Sequence, residues 1–218
     1  MIRRNILPYI ILSALALFIL PAEGYAQKGR HTFTFGEEQF LLDGKPFQVI
    51  SGEMHPGRMP EEYWRQRIRM AKAMGCNTIS AYLFWNYHET SEGIYDFHTG
   101  NRDISEFITT AAEEGMWVII RPGPYVCAEW EFGGLPPYLL RHPEIKIRCL
   151  DPVYMKAVER YINRLADVLR PHLITNDGPV LMIQIENEYG SYGNDRNYLA
   201  ALKEIWVRND IDVPFFTG

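Results

Sequence analysis

Apolar and polar positions along this chain fall into two alternating kinds of block. Short apolar runs end in polar clusters, and between them lie longer stretches whose apolar residues recur every three to four positions. The short runs predict strands and the long stretches predict helices. "HTFTF" and "QFLLDGKPFQVISGEMH" read as short strands, the latter turned through Asp43-Gly44, a hairpin dipeptide. "PEEYWRQRIRMAKAMG" predicts a helix opened by Pro60 and two acids and stopped at Gly75, with Tyr63, Arg67, Met70 and Met74 at helical spacing. "NTISAYLFW" is a predicted strand. "DISEFITTAAEEG" is a predicted helix with Asp103 as N-cap and Gly115 as its stop. "MWVIIRPGPY" is a strand halted by two prolines, and "DPVYMKAVERYINRLADVLRPHL" is a long helix following Asp151 and Pro152. "VLMIQIENEY" is the next strand, "NYLAALKEIWVRN" the next helix, and "VPFFTG" begins another strand.

Strands separated by helices imply parallel pairing through right-handed crossovers. Their nearly continuous apolar runs imply burial on both faces. An open doubly wound sheet and a (β/α)8 barrel both fit that description. The dinucleotide-binding doubly wound type usually carries G-x-G-x-x-G after its first strand, and nothing like it occurs here. The polar residues gather instead where strands end, in "SGEMHPGR", "AYLFWNYHE", "RPGPYVCAEWE" and "QIENEYG". Active sites of barrel enzymes are built at that C-terminal face from several strand ends. The expected fold class is therefore α/β, of the (β/α)8 TIM-barrel type. About five strand-helix units fit before Gly218, and a whole barrel takes ~250 residues, so residues 27–218 are expected to form the N-terminal portion of an incomplete barrel.

The first 26 residues differ from the rest. Arg3 and Arg4 precede an apolar run from Ile10 to Leu20, and Gly24 and Ala26 supply small residues before a cut at Gln27. That layout predicts a secretory signal peptide over residues 1–26 and export to the periplasm or outside. A membrane anchor is the alternative, but the run is short of the ~20 apolar residues a span needs, and Pro8 and Pro21 bracket it. Cys76, Cys127 and Cys149 are odd in number, widely spaced and without C-x-x-C, which argues for buried free thiols over disulfides or zinc. A net charge of −5 with no basic cluster gives no reason to expect nucleic acid or an anionic membrane.

Candidate chemistry lies at the strand ends. In "QIENEY" an extended strand would put Gln184, Glu186 and Glu188 on one face. A deep Glu186 would need a cationic or hydrogen-bonded partner, for which Arg121 is the candidate. Glu188, beside Tyr189, could reach a ligand, and shielding by rings would raise its pKa as a general acid requires. On pattern alone, a functional carboxylate and a structural ion-pair network both remain open. "CAEWEF" puts Glu129 and Glu131 around Trp130, a surface suited to sugars as well as an ordinary charged loop. Tyr82, Trp85, Asn86, His88 and Glu89 line another strand end. A metal site through His55, His88 and Glu89 lacks any usual ligand spacing, and no G-x-S-x-G elbow is present.

Taken together, "SGEMHPGRMPEEYWRQRI", "GCNTISAYLFWNYHE", "RPGPYVCAEWEFGGLP" and "QIENEYGSYG" resemble the N-terminal half of the catalytic barrel of glycoside hydrolase family 35, the β-galactosidases, from about Phe40 to Gly218. The resemblance implies that Glu188 is the acid/base and that Asn187 binds the sugar's 2-hydroxyl. It also implies that Tyr82, Ala128 and Glu129 hold galactose hydroxyls, with no metal and no cofactor. It implies retaining exo-hydrolysis of terminal β-galactose by a carboxylate pair ~5–5.5 Å apart. The family's nucleophile lies on a later strand, and no "TEFW"-like or "TEYW"-like segment occurs before Gly218. The 218-residue chain alone is thus expected to be inactive. A carbohydrate-binding remnant without turnover, or the same barrel acting on another β-glycoside, are the alternatives.

Overall fold

The computed structural model describes residues 31–218, so the expected signal peptide lies outside the described residues. The strands β1 (Phe33–Phe35), β2 (Phe40–Leu42) and β3 (Lys45–Phe47) form an antiparallel meander. Its second turn is the expected Asp43-Gly44, with φ of 52° and 72°, the mirror-image turn that a two-residue hairpin requires. Then come β4 (Ser51–Met54) and β5 (Thr78–Tyr82), an antiparallel excursion of β6 (Glu89–Ser91) and β7 (Ile94–Tyr95), and finally β8 (Trp117–Arg121), β9 (Val180–Gln184) and β10 (Phe215–Phe216). Five of these make one parallel sheet in the order β4-β5-β8-β9-β10. Spatial order follows chain order without reversal. A doubly wound sheet reverses at a switch point, whereas a barrel adds each strand to the same edge.

Helices α1 (Trp64–Ala73), α2 (Trp85–His88), α3 (Ile104–Glu113), α4 (Pro152–Leu169), α5 (Tyr189–Tyr192) and α6 (Arg196–Arg208) join the strands. Three of them start where an aspartate accepts hydrogen bonds from first-turn amides: Asp103, Asp151 and Asp195. In α4 the buried positions are Tyr154, Ala157, Val158, Tyr161, Ile162, Leu165, Ala166 and Leu169, an unbroken i, i+3, i+4 stripe. At ~1.5–3 kcal/mol for each large apolar side chain, that stripe fixes the helix against the sheet. The helical spacing of Tyr63, Arg67, Met70 and Met74 follows the exposed side of α1. Trp64, Ile68 and Ala71 are the buried residues, while Tyr63, Met70 and Met74 are exposed.

The pleat divides the sheet in two. On β4, Gly52 backs onto α1, where a Cβ would lie 3.5 Å from Ala71, so Glu53 takes the opposite face. Gly52 pairs with Ile79 and Ile79 with Val118, which are wholly buried, whereas Glu53 pairs with Ser80 and Ser80 with Ile119. The predicted strand "NTISAYLFW" stops at Tyr82, and Trp85 already belongs to α2. All three cysteines are free and half-buried, less enclosed than expected. Among the described residues no helix is long and apolar enough to cross a membrane.

His88, at the end of α2, is buried, stacks on Phe97 at 5.0 Å and lies 3.2 Å from the Asp96 carbonyl through Nδ1. Burial depresses its pKa to about 4. The unfolded chain therefore takes up a proton that the folded one refuses between the ordinary histidine value and about 4. The stabilisation is full above pH ~6.5 and is lost as pH falls towards the folded value, about 3 kcal/mol in all. Urea midpoints measured at pH 7 and pH 4.5 should converge in His88→Gln relative to the unsubstituted protein.

Candidate active site

Four strands deliver polar side chains to the C-terminal end of the sheet. Tyr82 closes β5 and Arg121 closes β8, and the guanidinium lies 4.0 Å from the centre of the Tyr82 ring. Burial, ahead of its charged neighbours, raises the Tyr82 hydroxyl above the usual phenol value. Arg121 donates through Nε to Gln184 of β9, through Nη2 to Asn187 Oδ1 at 3.0 Å, and through Nη1 to Glu53 Oε2 at 3.3 Å. Glu53 Oε1 is 2.9 Å from His55 Nε2, and His55 Nδ1 is 3.0 Å from Arg58 Nη1. Arg58 Nη2 donates to the carbonyl of Glu129 at 2.6 Å. One chain of polar contacts thus runs from Asn187 across the strand ends to Glu129.

The Glu129 end of that chain is a tight turn. Cys127, Ala128 and Glu129 all have left-handed backbone, with φ of 57°, 49° and 45°. Three consecutive non-glycine residues there represent stored strain, which concentrates at functional sites. Trp130 follows and stacks on Phe84 at 3.9 Å with 4° between planes, its Nε1 donating to Asn86 Oδ1 at 2.8 Å. The Glu129 side chain is exposed beside this aromatic pair.

At the other end, β9 stops at Gln184 and the alternation expected through Glu188 stops with it. Glu186 and Glu188 are both left-handed, at φ of 64° and 47°. The two carboxylates consequently part. Glu186 is buried, and its partner is Arg148, not Arg121 as its position on the strand suggested. The left-handed step takes its carboxylate away from Arg121 and onto Arg148, 38 residues earlier in the chain. Glu188 is exposed rather than shielded by rings, and among the described residues nothing hydrogen-bonds its carboxylate. Asn187, between them, is only 5% exposed.

Tyr82, Asn187 and Glu129 are therefore linked through the strand-end network, Ala128 packs against the cluster of Tyr82, Phe84 and Val126, and Glu188 follows Asn187 at the β9 end. Glu53, Arg58 and Arg148 were not singled out from sequence. Glu53 and Arg58 did lie in a polar cluster after a predicted strand, but Arg148 had no local signal. The residues weighed for a metal do not meet: His88 faces Phe97, and the buried Glu89 accepts from Trp85, Tyr138 and the Gly93 amide. Among the described residues no three His, Cys, Asp or Glu side chains group so as to hold an ion.

Parallel strands added in chain order with helices between them, and polar groups gathered at their C-terminal ends, mark the (β/α)-barrel class of fold. Solved structures agree on the fold. An exo-beta-1,4-mannosidase from Opitutaceae bacterium strain TAV5 superposes with a TM-score of 0.61 at 16% identity, over 80% of this chain and 32% of that one. A GH5_18 protein from Streptomyces cattleya superposes with a TM-score of 0.59 at 13% identity, over 78% and 44%. The profile of Glycosyl hydrolases family 35 matches residues 39–216, and the chain belongs to that family. It is 42% identical to a beta-galactosidase of Xanthomonas manihotis over 97% of its own length, and 43% identical to that of Canis lupus familiaris over 93%. It spans 35% and 31% of those relatives' lengths.

Replacing Arg121 by Met should leave the amide oxygens of Gln184 and Asn187 without their donor. Chemical denaturation should then report a loss of about 1–3 kcal/mol. Lysine should recover less than half, because one ammonium cannot reproduce the guanidinium fork.

Proposed function

We propose that the protein is a retaining exo-β-galactosidase-type glycoside hydrolase, with Glu188 as acid/base and its nucleophile carried by the part of the relatives' length that this chain does not span. The observation that carries this reading is the pairing of a fixed Asn187 with a free Glu188 at the end of β9. Arginine has donors only, so the Asn187 amide must turn Oδ1 towards Arg121, which leaves Nδ2 to donate to a sugar hydroxyl. Glu188, one residue on, protonates the leaving oxygen and later draws a proton from water. Glu186 cannot be the nucleophile, since its oxygens are engaged by Arg148, Tyr198 and the Asn187 amide. Tyr82, the Ala128 backbone and the Glu129 carboxylate are assigned to the hydroxyls of galactose, where a site built to hydrogen-bond a hydroxyl discriminates strongly. The relatives' names support galactose over other β-glycosides.

In the full-length protein, Glu188→Gln should lower kcat/KM for an alkyl β-galactoside by about 10²–10⁴-fold while galactose still binds. Sugar binding with no turnover of any β-glycoside by the full-length unsubstituted protein would favour a carbohydrate-binding role instead. Preference for another β-glycoside in a substrate panel would move the assignment to that sugar. Export through residues 1–26 is part of the same proposal, and the N-terminal residue of the secreted protein should be Gln27.

A further inference from the structure

Two opposite charges are buried beneath the Asn187–Glu188 segment. Arg148 is 5% exposed and Glu186 is 1% exposed. Arg148 Nη2 donates to Glu186 Oε2 at 2.7 Å, and its Nε is 3.2 Å from both carboxylate oxygens. The guanidinium also lies 4.0 Å from the ring centre of Tyr125 and 4.1 Å from that of Tyr192. Tyr198 donates to Glu186 Oε1 at 2.8 Å and shares a 3.2 Å contact with the hydroxyl of Tyr154.

A buried ion pair is a poor device for stability alone, because its desolvation offsets most of the attraction and an apolar pair often serves as well. What distinguishes this one is where its spare hydrogen bonds go. Glu186 Oε2 accepts from the backbone N–H of Asn187 at 2.9 Å, and Arg148 Nη2 donates to the backbone carbonyl of Asn187 at 2.7 Å. Both polar groups of one residue's backbone are thus gripped by the two halves of one ion pair. Arg148, Glu186 and Glu188 all sit at positive φ, 56°, 64° and 47°, so the grip holds a backbone that a relaxed chain would leave.

We infer that Arg148 and Glu186 are positioning residues: through the Asn187 backbone they aim the Glu188 carboxyl at the glycosidic oxygen. The inference rests on Glu188 being the acid/base. A mis-aimed acid slows only those substrates whose leaving group needs a proton. An activated aryl leaving group departs without one.

The test compares kcat/KM, which reports bond cleavage, for an alkyl β-galactoside and for 2,4-dinitrophenyl β-galactoside. In the full-length protein, Arg148→Lys should lose about 10²-fold on the alkyl substrate and less than about tenfold on the aryl one. Tyr198→Phe, a milder change one contact further out, should shift the ratio the same way by about three- to tenfold. Tyr198→Phe carries the test alone if Arg148→Lys does not fold, as judged by circular dichroism. Equal losses on both substrates, or no loss, would overturn the inference, since the pair would then serve only the fold. Glu188→Gln is run beside them. If it leaves the ratio unchanged, the acid/base assignment itself fails, and the positioning role falls with it.

Discussion

The guanidinium of Arg121 has five N–H donors in a planar fork and no acceptor. Such a group must be met by acceptors or by ring faces, and at this sheet they come from three neighbouring strands and the loop after one of them. Gln184 closes β9, Glu53 lies on β4, Tyr82 closes β5, and Asn187 follows Gln184 by three residues. The spacing of the strand ends is thereby set from inside the mouth, by one rigid fork. The helix-covered face beneath is ordinary packing of aliphatic residues such as Ile79, Ile120 and Ile183. It supports the mouth without specifying what the mouth contacts.

Asn187 shows what that arrangement achieves. Its N–H, its carbonyl and its side-chain oxygen are taken by Glu186, Arg148 and Arg121 respectively. Of the polar groups of Asn187, only the side-chain NH₂ finds no partner among the described residues. Two arginines divide the work, one holding the backbone and the other the side chain. The neighbouring Glu188 inherits a fixed origin while its own carboxylate stays unengaged. A rigid base with a free reactive tip is what a preorganised site requires, because the supporting shell decides how accurately the tip is aimed.

Much of this was legible from local sequence. Asp103, Gly115, Asp151 and the Asp43-Gly44 turn act through groups within a few residues of themselves, so their chemistry can be read in place. The position of the polar clusters at strand ends was also readable, since an apolar run and its halt are adjacent in the chain. The partner of Glu186 was not. It depends on a left-handed step that no propensity forecasts and on an arginine 38 residues away in a long loop. The buried face of α1 was not legible for a related reason. Tyr63, Met70 and Met74 and the set Trp64, Ile68 and Ala71 are both helically spaced, and only the neighbouring sheet chooses between them.

The loop from residue 122 to 151 meets both sides of the mouth. Near its start, Arg58 holds the Glu129 carbonyl, and a Cβ on Gly133 would fall 2.0 Å from the ring of Tyr125. Leu135 and Leu139 are buried, Tyr138 reaches Glu89, and at the far end Arg148 and the capping Asp151 are engaged. Only Leu140 to Glu144 run wholly exposed. Loops as a rule tolerate insertion and deletion along their length. Here that freedom is confined to one short arc. Residues can be gained or lost between Leu140 and Glu144 without disturbing the two ends, so length variation in this loop belongs on the rim and not over the mouth.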